Sequence, residues 1–155
     1  PFDYQPAFYY AFNLVHFKNR PAEAAEWLRA AAAKLPDEEE RLIMESFAVR
    51  WLDRSDDLGM VIAVVESMAK QAKRKDFRNY LQQRVQRLRG LLSLREAASV
   101  FLQKNGYPAQ SLEQLVGAGL IASIPDDPFG KGYALDSKGI PVFKGVKVDE
   151  YGNKN

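Results

Sequence analysis

His16 is the one histidine in 155 residues and cysteine is absent, so few side chains here can start a reaction. The missing cysteines exclude disulfides, thiolate zinc sites and a cysteine nucleophile, and a lone histidine excludes any multi-histidine metal site. As a general base His16 would need an orienting acid and a nucleophile within reach, and its surroundings in the sequence supply neither. Placed near the end of an apolar-rich helix, it reads instead as a surface residue whose charge suits the helix dipole. The acids Glu38, Glu39, Glu40, Asp56 and Asp57 are candidates for a metal or acid–base pair. Neighbouring helical residues point about 100° apart, however, so these carboxylates do not converge and read as helix-start and turn residues. Asp126, Asp127 and Asp136 would hold calcium only if their loop folded back on itself, and the preferred reading is turn acids in a proline-rich loop. Neither GxxxxGK[ST] nor GxGxxG occurs, and no helix follows the glycine-rich C-terminal region to receive a phosphate. The expectation is a protein that is not an enzyme and uses no cofactor and no metal.

Charge points the same way. Lys and Arg number 22 against 20 Asp and Glu, a formal +2, which gives no global attraction to nucleic acid or membrane. The segment 70–95 holds nine bases and one acid. On a helical wheel, though, Arg84, Arg87, Arg89 and Arg95 point toward roughly 0°, 300°, 140° and 20°, which is no single stripe. Two of them share the sector of Leu88 and Leu102. The segment 37–57, with eight acids and three bases, is available to pair with it, and nucleic acid is the disfavoured partner. A hydrophobic content of 46% indicates a folded chain of about one domain. The apolar run Met60–Val65 ends at Glu66, far short of the roughly 18 residues that span a bilayer. The chain starts at Pro1 rather than Met, so the expectation is that an upstream part has been removed, with any targeting element or membrane anchor it carried.

These residues must be positioned mostly by helices. Prolines among the first 105 residues stand at 1, 6, 21 and 36, each where a helix can start or stop. The pattern predicts helices over Phe8–Phe17, Pro21 to about Leu35, and Asp37 to Leu52 with Leu42, Ile43, Phe47, Ala48, Trp51 and Leu52 inward. A fourth runs over Leu58–Ala72. A fifth, from Lys75 to Lys104, has Phe77, Leu81, Val85, Leu88, Leu92, Ala98 and Leu102 on one face. It would be about 45 Å long if continuous, and Gly90 in its middle, about 1 kcal/mol worse than Ala, marks a place where it could break. Residues 106–155 hold eight of the ten glycines. There Ser111 caps a short helix over Leu112–Val116, and strands Gly132–Leu135 and Ile140–Phe143 flank a turn at 136–139.

Self-comparison at a shift of 37 residues aligns Ala11 with Ala48, Phe12 with Val49 and Val15 with Leu52. It also aligns Ala24 with Val61, Leu28 with Val65 and Ala31 with Met68. A single helical hairpin cannot bury both faces, so stacked hairpins are the natural solution. The spacing Ala24-x3-Leu28-x2-Ala31-x4-Pro36 resembles the second helix of a tetratricopeptide repeat. In the second copy Val61 and Met68 replace small residues, and no proline follows Lys73. The C-terminal pattern Gly106-Tyr107-Pro108, Ser111-Leu112-Glu113-x-Leu115, then Ile124-Pro125-x-Asp127-Pro128-Phe129-Gly130, resembles the region after the long helix of type II secretion pseudopilins. The sequence departs from that family in having repeats where the apolar N-terminal anchor is expected, and no counterpart is read for the acidic calcium loop.

The expected fold class is therefore mainly α: stacked helical hairpins over 1–75, a tetratricopeptide-like α-solenoid. A long helix and a small α+β cap with a β-hairpin follow over 76–143, then a polar tail over 144–155. The resemblance implies a protein–protein interaction or scaffold module of a bacterial, envelope-associated assembly. The alternatives are a permanent structural subunit of a large complex, or a nucleic-acid binder acting through 70–95. With the first helix of each hairpin lining a concave face, the expected partner-binding residues are Tyr9, Asn13, His16, Ser46, Arg50, Asp53 and Arg54. Their partner would be a protein or peptide. The cluster Phe2, Tyr4, Phe8, Tyr9, Tyr10, Phe12 and Phe17 is too dense for one inward face, so part of it is expected against a partner or a lost upstream repeat.

Overall fold

Asp37 and Asp57 do the same local work twenty residues apart. The Glu40 N–H donates to Asp37 Oδ1 at 2.9 Å and the Met60 N–H to Asp57 Oδ1 at 3.0 Å. Each aspartate thereby satisfies one of the donors that a helix start leaves unpaired. These caps open two of five helices in a computed structural model that describes residues 20–145. In chain order the helices are α1 (Pro21–Ala32), α2 (Glu38–Leu52), α3 (Leu58–Gln71), α4 (Lys75–Asn105) and α5 (Leu112–Gly117). Strands β1 (Tyr133–Leu135) and β2 (Pro141–Phe143) complete the described residues, which are mainly helical. One compact unit runs to Gln82 and a second begins at Gln83, so the division falls inside α4.

In the first unit the connections at 33–37 and 53–57 are built alike. Lys34 and Leu35 donate back to Ala31 O and Ala32 O, and Arg54 and Ser55 donate back to Trp51 O and Leu52 O. The helix starts recur as well. α1 and α3 begin 37 residues apart, and so do α2 and α4. Leu28 and Val65 are both wholly buried, as are Ala24 and Val61, and Ala31 and Met68 are buried too. Among the described residues α1 and α2 make the most extensive helix–helix packing. An arginine secures the end of one helix of each pair. Arg41 Nη1 donates to Leu35 O at 3.0 Å, and Arg78, 37 positions later, donates from Nη2 to Ala72 O at 3.1 Å. On α2 the buried set is Met44, Ala48, Val49, Trp51 and Leu52. Ile43, expected inward, is 57% exposed, because Met44 takes the core position and turns its neighbour by about 100°.

In the second unit α4 passes through Gly90 without a break. Its core residues are Leu88, Leu91, Leu94, Ala97 and Phe101, while Leu102 is 47% exposed. Steps of three move the buried stripe about 60° round the helix each time, so the cap wraps α4 where straight periodicity predicts a fixed face through Leu92, Ala98 and Leu102. Gly106, with φ of +77°, ends the helix. Ser111 Oγ accepts from the Gln114 N–H at 3.3 Å and caps α5, whose Leu112 and Leu115 are buried. The hairpin is antiparallel, with Tyr133 opposite Phe143, Ala134 opposite Val142 and Leu135 opposite Pro141.

The loop before the hairpin is closed by Asp127. Its carboxylate accepts from the N–H groups of Phe129 (2.9 Å), Lys131 (3.1 Å) and Gly132 (2.7 Å). It also faces Arg87 Nε at 3.2 Å, an ion pair with both side chains buried. Burial pushes the Asp127 pKa up, but those backbone donors and Arg87 outweigh it and hold the carboxyl below its usual range. The Arg87 guanidinium lies 4.1 Å from the Phe143 ring centroid, and Tyr133 Oη donates to Arg87 O at 3.0 Å. Asp136, the other loop acid, accepts from the Lys138 and Ile140 N–H groups within the hairpin turn. Both aspartates are thus spent on their own loops. Among the described residues no three metal-ligating side chains gather, and no helix is long and apolar enough to cross a membrane.

Candidate functional site

Arg74, in the turn before α4, brings two helices to one place. It donates through Nε to Asp76 Oδ1 at 3.0 Å and through Nη2 to Asp76 Oδ2 at 2.6 Å, and its Nη1 binds Glu39 on α2. Beside this knot lies a shallow groove of about 260 Å³. Glu39, Leu42, Ile43 and Ser46 line it from α2, one face at helical spacing, and Asp76, Phe77 and Tyr80 line it from α4. Phe77 and Tyr80 stack with centroids 6.1 Å apart. The lining is thus apolar at Leu42, Ile43, Phe77 and Tyr80 and charged at Glu39, Arg74 and Asp76.

The electrostatics of the Arg74 cluster do not favour acid–base work. The hydrogen bond from Arg74, and after it the Phe77 N–H, hold the Asp76 carboxyl below its ordinary range. Hydrogen bonds to Asp76 and then Glu39 push the Arg74 pKa further up. A carboxylate stabilised as an anion by a fixed guanidinium is a poor proton acceptor at neutral pH. The Ser46 hydroxyl donates to Leu42 O at 2.8 Å, the ordinary habit of a helical serine. What the groove offers is shape, apolar surface and fixed charge.

Of the residues expected to meet a partner, Ser46 lines this groove. Arg50 is exposed with its guanidinium 5.8 Å from the Phe47 centroid, Asp53 is the half-buried C-cap of α2, and Arg54 sits in the following turn; none of the three lines it. Tyr9, Asn13 and His16 lie outside the described residues. Sequence reasoning assigned Glu39 a helix-start role and Leu42, Ile43 and Phe77 inward faces, and it gave no site role to Arg74, Asp76 or Tyr80. A signal was nonetheless available, because Glu39 and Asp76, like Ile43 and Tyr80, stand 37 positions apart, the interval of the self-comparison. No family model matches the chain, and no match is found among curated proteins or solved structures.

Proposed function

We propose that this chain is a non-catalytic, polypeptide-binding module whose first unit is a short tetratricopeptide-like solenoid and whose second is a pseudopilin-like cap. The observation that carries this is the groove itself. It is lined by α2 and the start of α4, two helices that begin 37 residues apart and present Glu39 with Asp76, and Ile43 with Tyr80, at equivalent positions. Equivalent faces of successive helices forming one continuous surface is how stacked hairpins bind extended or helical segments. The volume suits one or two side chains rather than a cofactor, since small-molecule sites generally occupy about 300–1,000 Å³. The bacterial envelope setting follows from the pseudopilin resemblance.

Nucleic-acid binding through 70–95 draws no support from the arrangement of that segment. Arg84 and Arg87 are buried, Arg74 is bound to carboxylates and Arg78 to helix-end carbonyls. The test is a selection of displayed random peptides on the full chain. Enriched peptides should bind at least about tenfold more weakly to Ile43→Asp, whose melting temperature stays that of wild type because Ile43 is exposed. Selected peptides that bind the variant equally well would move the site elsewhere, and an absence of enrichment would count against the reading.

A further inference from the structure

The partner's chemistry can be taken one step beyond the groove, resting on its being the polypeptide site. The Arg74 side chain is 35% exposed against 70% for Glu39 and 66% for Asp76, so all three charged groups reach solvent and the carboxylates are the more accessible members of the polar knot. Their acceptors are not equally committed. Both Asp76 oxygens are taken by Arg74, and Oδ1 receives the Phe77 N–H as well. Arg74 reaches Glu39 at Oε1 alone, so Oε2 is the one carboxylate oxygen of the knot that Arg74 does not bind. Among the charged residues that line the groove, two carboxylates stand against one guanidinium, a formal −1, and Leu42, Ile43 and Tyr80 line the same groove.

We propose that the groove takes a polypeptide segment in which a lysine or arginine stands next to an aliphatic or aromatic residue. The apolar side chain seats on Ile43, Leu42 and Tyr80, and the cation reaches Glu39 Oε2. Burying the apolar side chain supplies most of the affinity, and the rim carboxylate supplies discrimination between partners of opposite charge. A phosphorylated or acidic segment would meet like charge at the same place.

Fluorescence anisotropy on the full chain tests this with two capped peptides that differ only in having lysine or glutamate beside a leucine. The lysine peptide should bind at least about fivefold more tightly at low salt, with the preference shrinking as ionic strength rises. Glu39→Gln should remove most of the preference while leaving the glutamate peptide no weaker, and Ile43→Asp should weaken the lysine peptide about tenfold. Equal binding of the two peptides, with Ile43→Asp still weakening both, would overturn the charge assignment and leave polypeptide binding in place. Failure of both peptides to bind would overturn the proposed partner chemistry, while the display selection decides separately whether the groove binds polypeptide at all. Binding that Ile43→Asp does not alter would overturn both.

Discussion

Gly90→Ala sets two sound arguments against each other. In an exposed helix interior the change gains about 1 kcal/mol from propensity. At Gly90 the added methyl has no room. An ideally placed Cβ would fall on the Tyr133 hydroxyl, with Tyr133 Cζ at 3.0 Å and Pro125 Cβ at 3.1 Å. The phenol cannot simply move aside, because Tyr133 is buried and its Oη donates to Arg87 O. Burial first, and Asp127 after it, push the Tyr133 pKa up to about 12, so the hydroxyl remains a donor across the accessible pH range.

Displacing the ring forfeits a hydrogen bond of about 1 kcal/mol and adds overpacking strain of about 1–3 kcal/mol. Set against the propensity gain, Gly90→Ala should destabilise by about 1–3 kcal/mol, read from the urea midpoint of the far-UV circular dichroism transition at unchanged m-value. In a Tyr133→Phe background the hydroxyl is gone, and the same substitution should fall to within about 1 kcal/mol of neutral. The coupling between the two sites should then exceed about 1 kcal/mol, as contacting residues require. Stabilisation by about 1 kcal/mol in the wild-type background would refute the packing argument and leave Gly90 an accident of the helix.

Two further substitutions test the electrostatics. Asp127→Asn removes the anion facing buried Arg87 and should destabilise by about 3 kcal/mol at neutral pH, the usual loss when one partner of a buried pair is removed. Because the native carboxyl titrates below its unfolded value, that contribution is present above about pH 4 and disappears as pH falls through the native pKa, so the wild-type and variant urea midpoints should converge in acid. Glu45 is the opposite case: burial raises its pKa against the pull of Arg29 and Arg41. The native state therefore holds this proton more tightly than the unfolded chain, and the group favours folding more as pH falls. Glu45→Gln should stabilise by about 0.5 kcal/mol or less at pH 7, with the advantage lost on acidification; destabilisation at pH 7 would show that Arg29 and Arg41 dominate instead.

The elements legible in the sequence are those with a local cause. Pro21, Asp37, Asp57 and Ser111 open helices through contacts within four residues, and Gly106 closes one through its own backbone. The turn at 136–139 is held by Asp136 binding its near neighbours, again a local device. Misplaced residues have distant causes. Gly90 is small because of Tyr133, and the Arg95 Nε that reads as part of a basic run donates to Pro141 O, 46 positions away. The groove is the extreme case, since Arg74 finds Glu39 across 35 residues. Periodicity assigns Ile43 to a core that Met44 fills, and it treats Glu39 as a dipole acid because nothing nearby in sequence announces Arg74. Ser46 lies on α2 half-buried among the groove's lining, and the chemistry of the groove follows from its second wall.

On the proposed repeat reading, α4 begins as the first helix of a third copy, and its residues explain why the pattern stops there. Met44, Ala48 and Trp51 of α2 correspond at an interval of 37 to Leu81, Val85 and Leu88 of α4, and all six are buried. Val49 and Leu52, also buried on α2, correspond to Gln86 and Arg89, which are exposed. One apolar face is kept and a second has become polar. A return helix needs that second face, because without it a hairpin has nothing to bury. The turn is lost by the same substitutions. Asp53, where α2 gives way to its turn, corresponds to Gly90, and the capping Asp57 corresponds to Leu94, a buried apolar residue with no side chain to start a new helix. With neither a stop nor a cap at those positions, α4 runs on to Asn105, and the face it presents after Gly90 serves the cap.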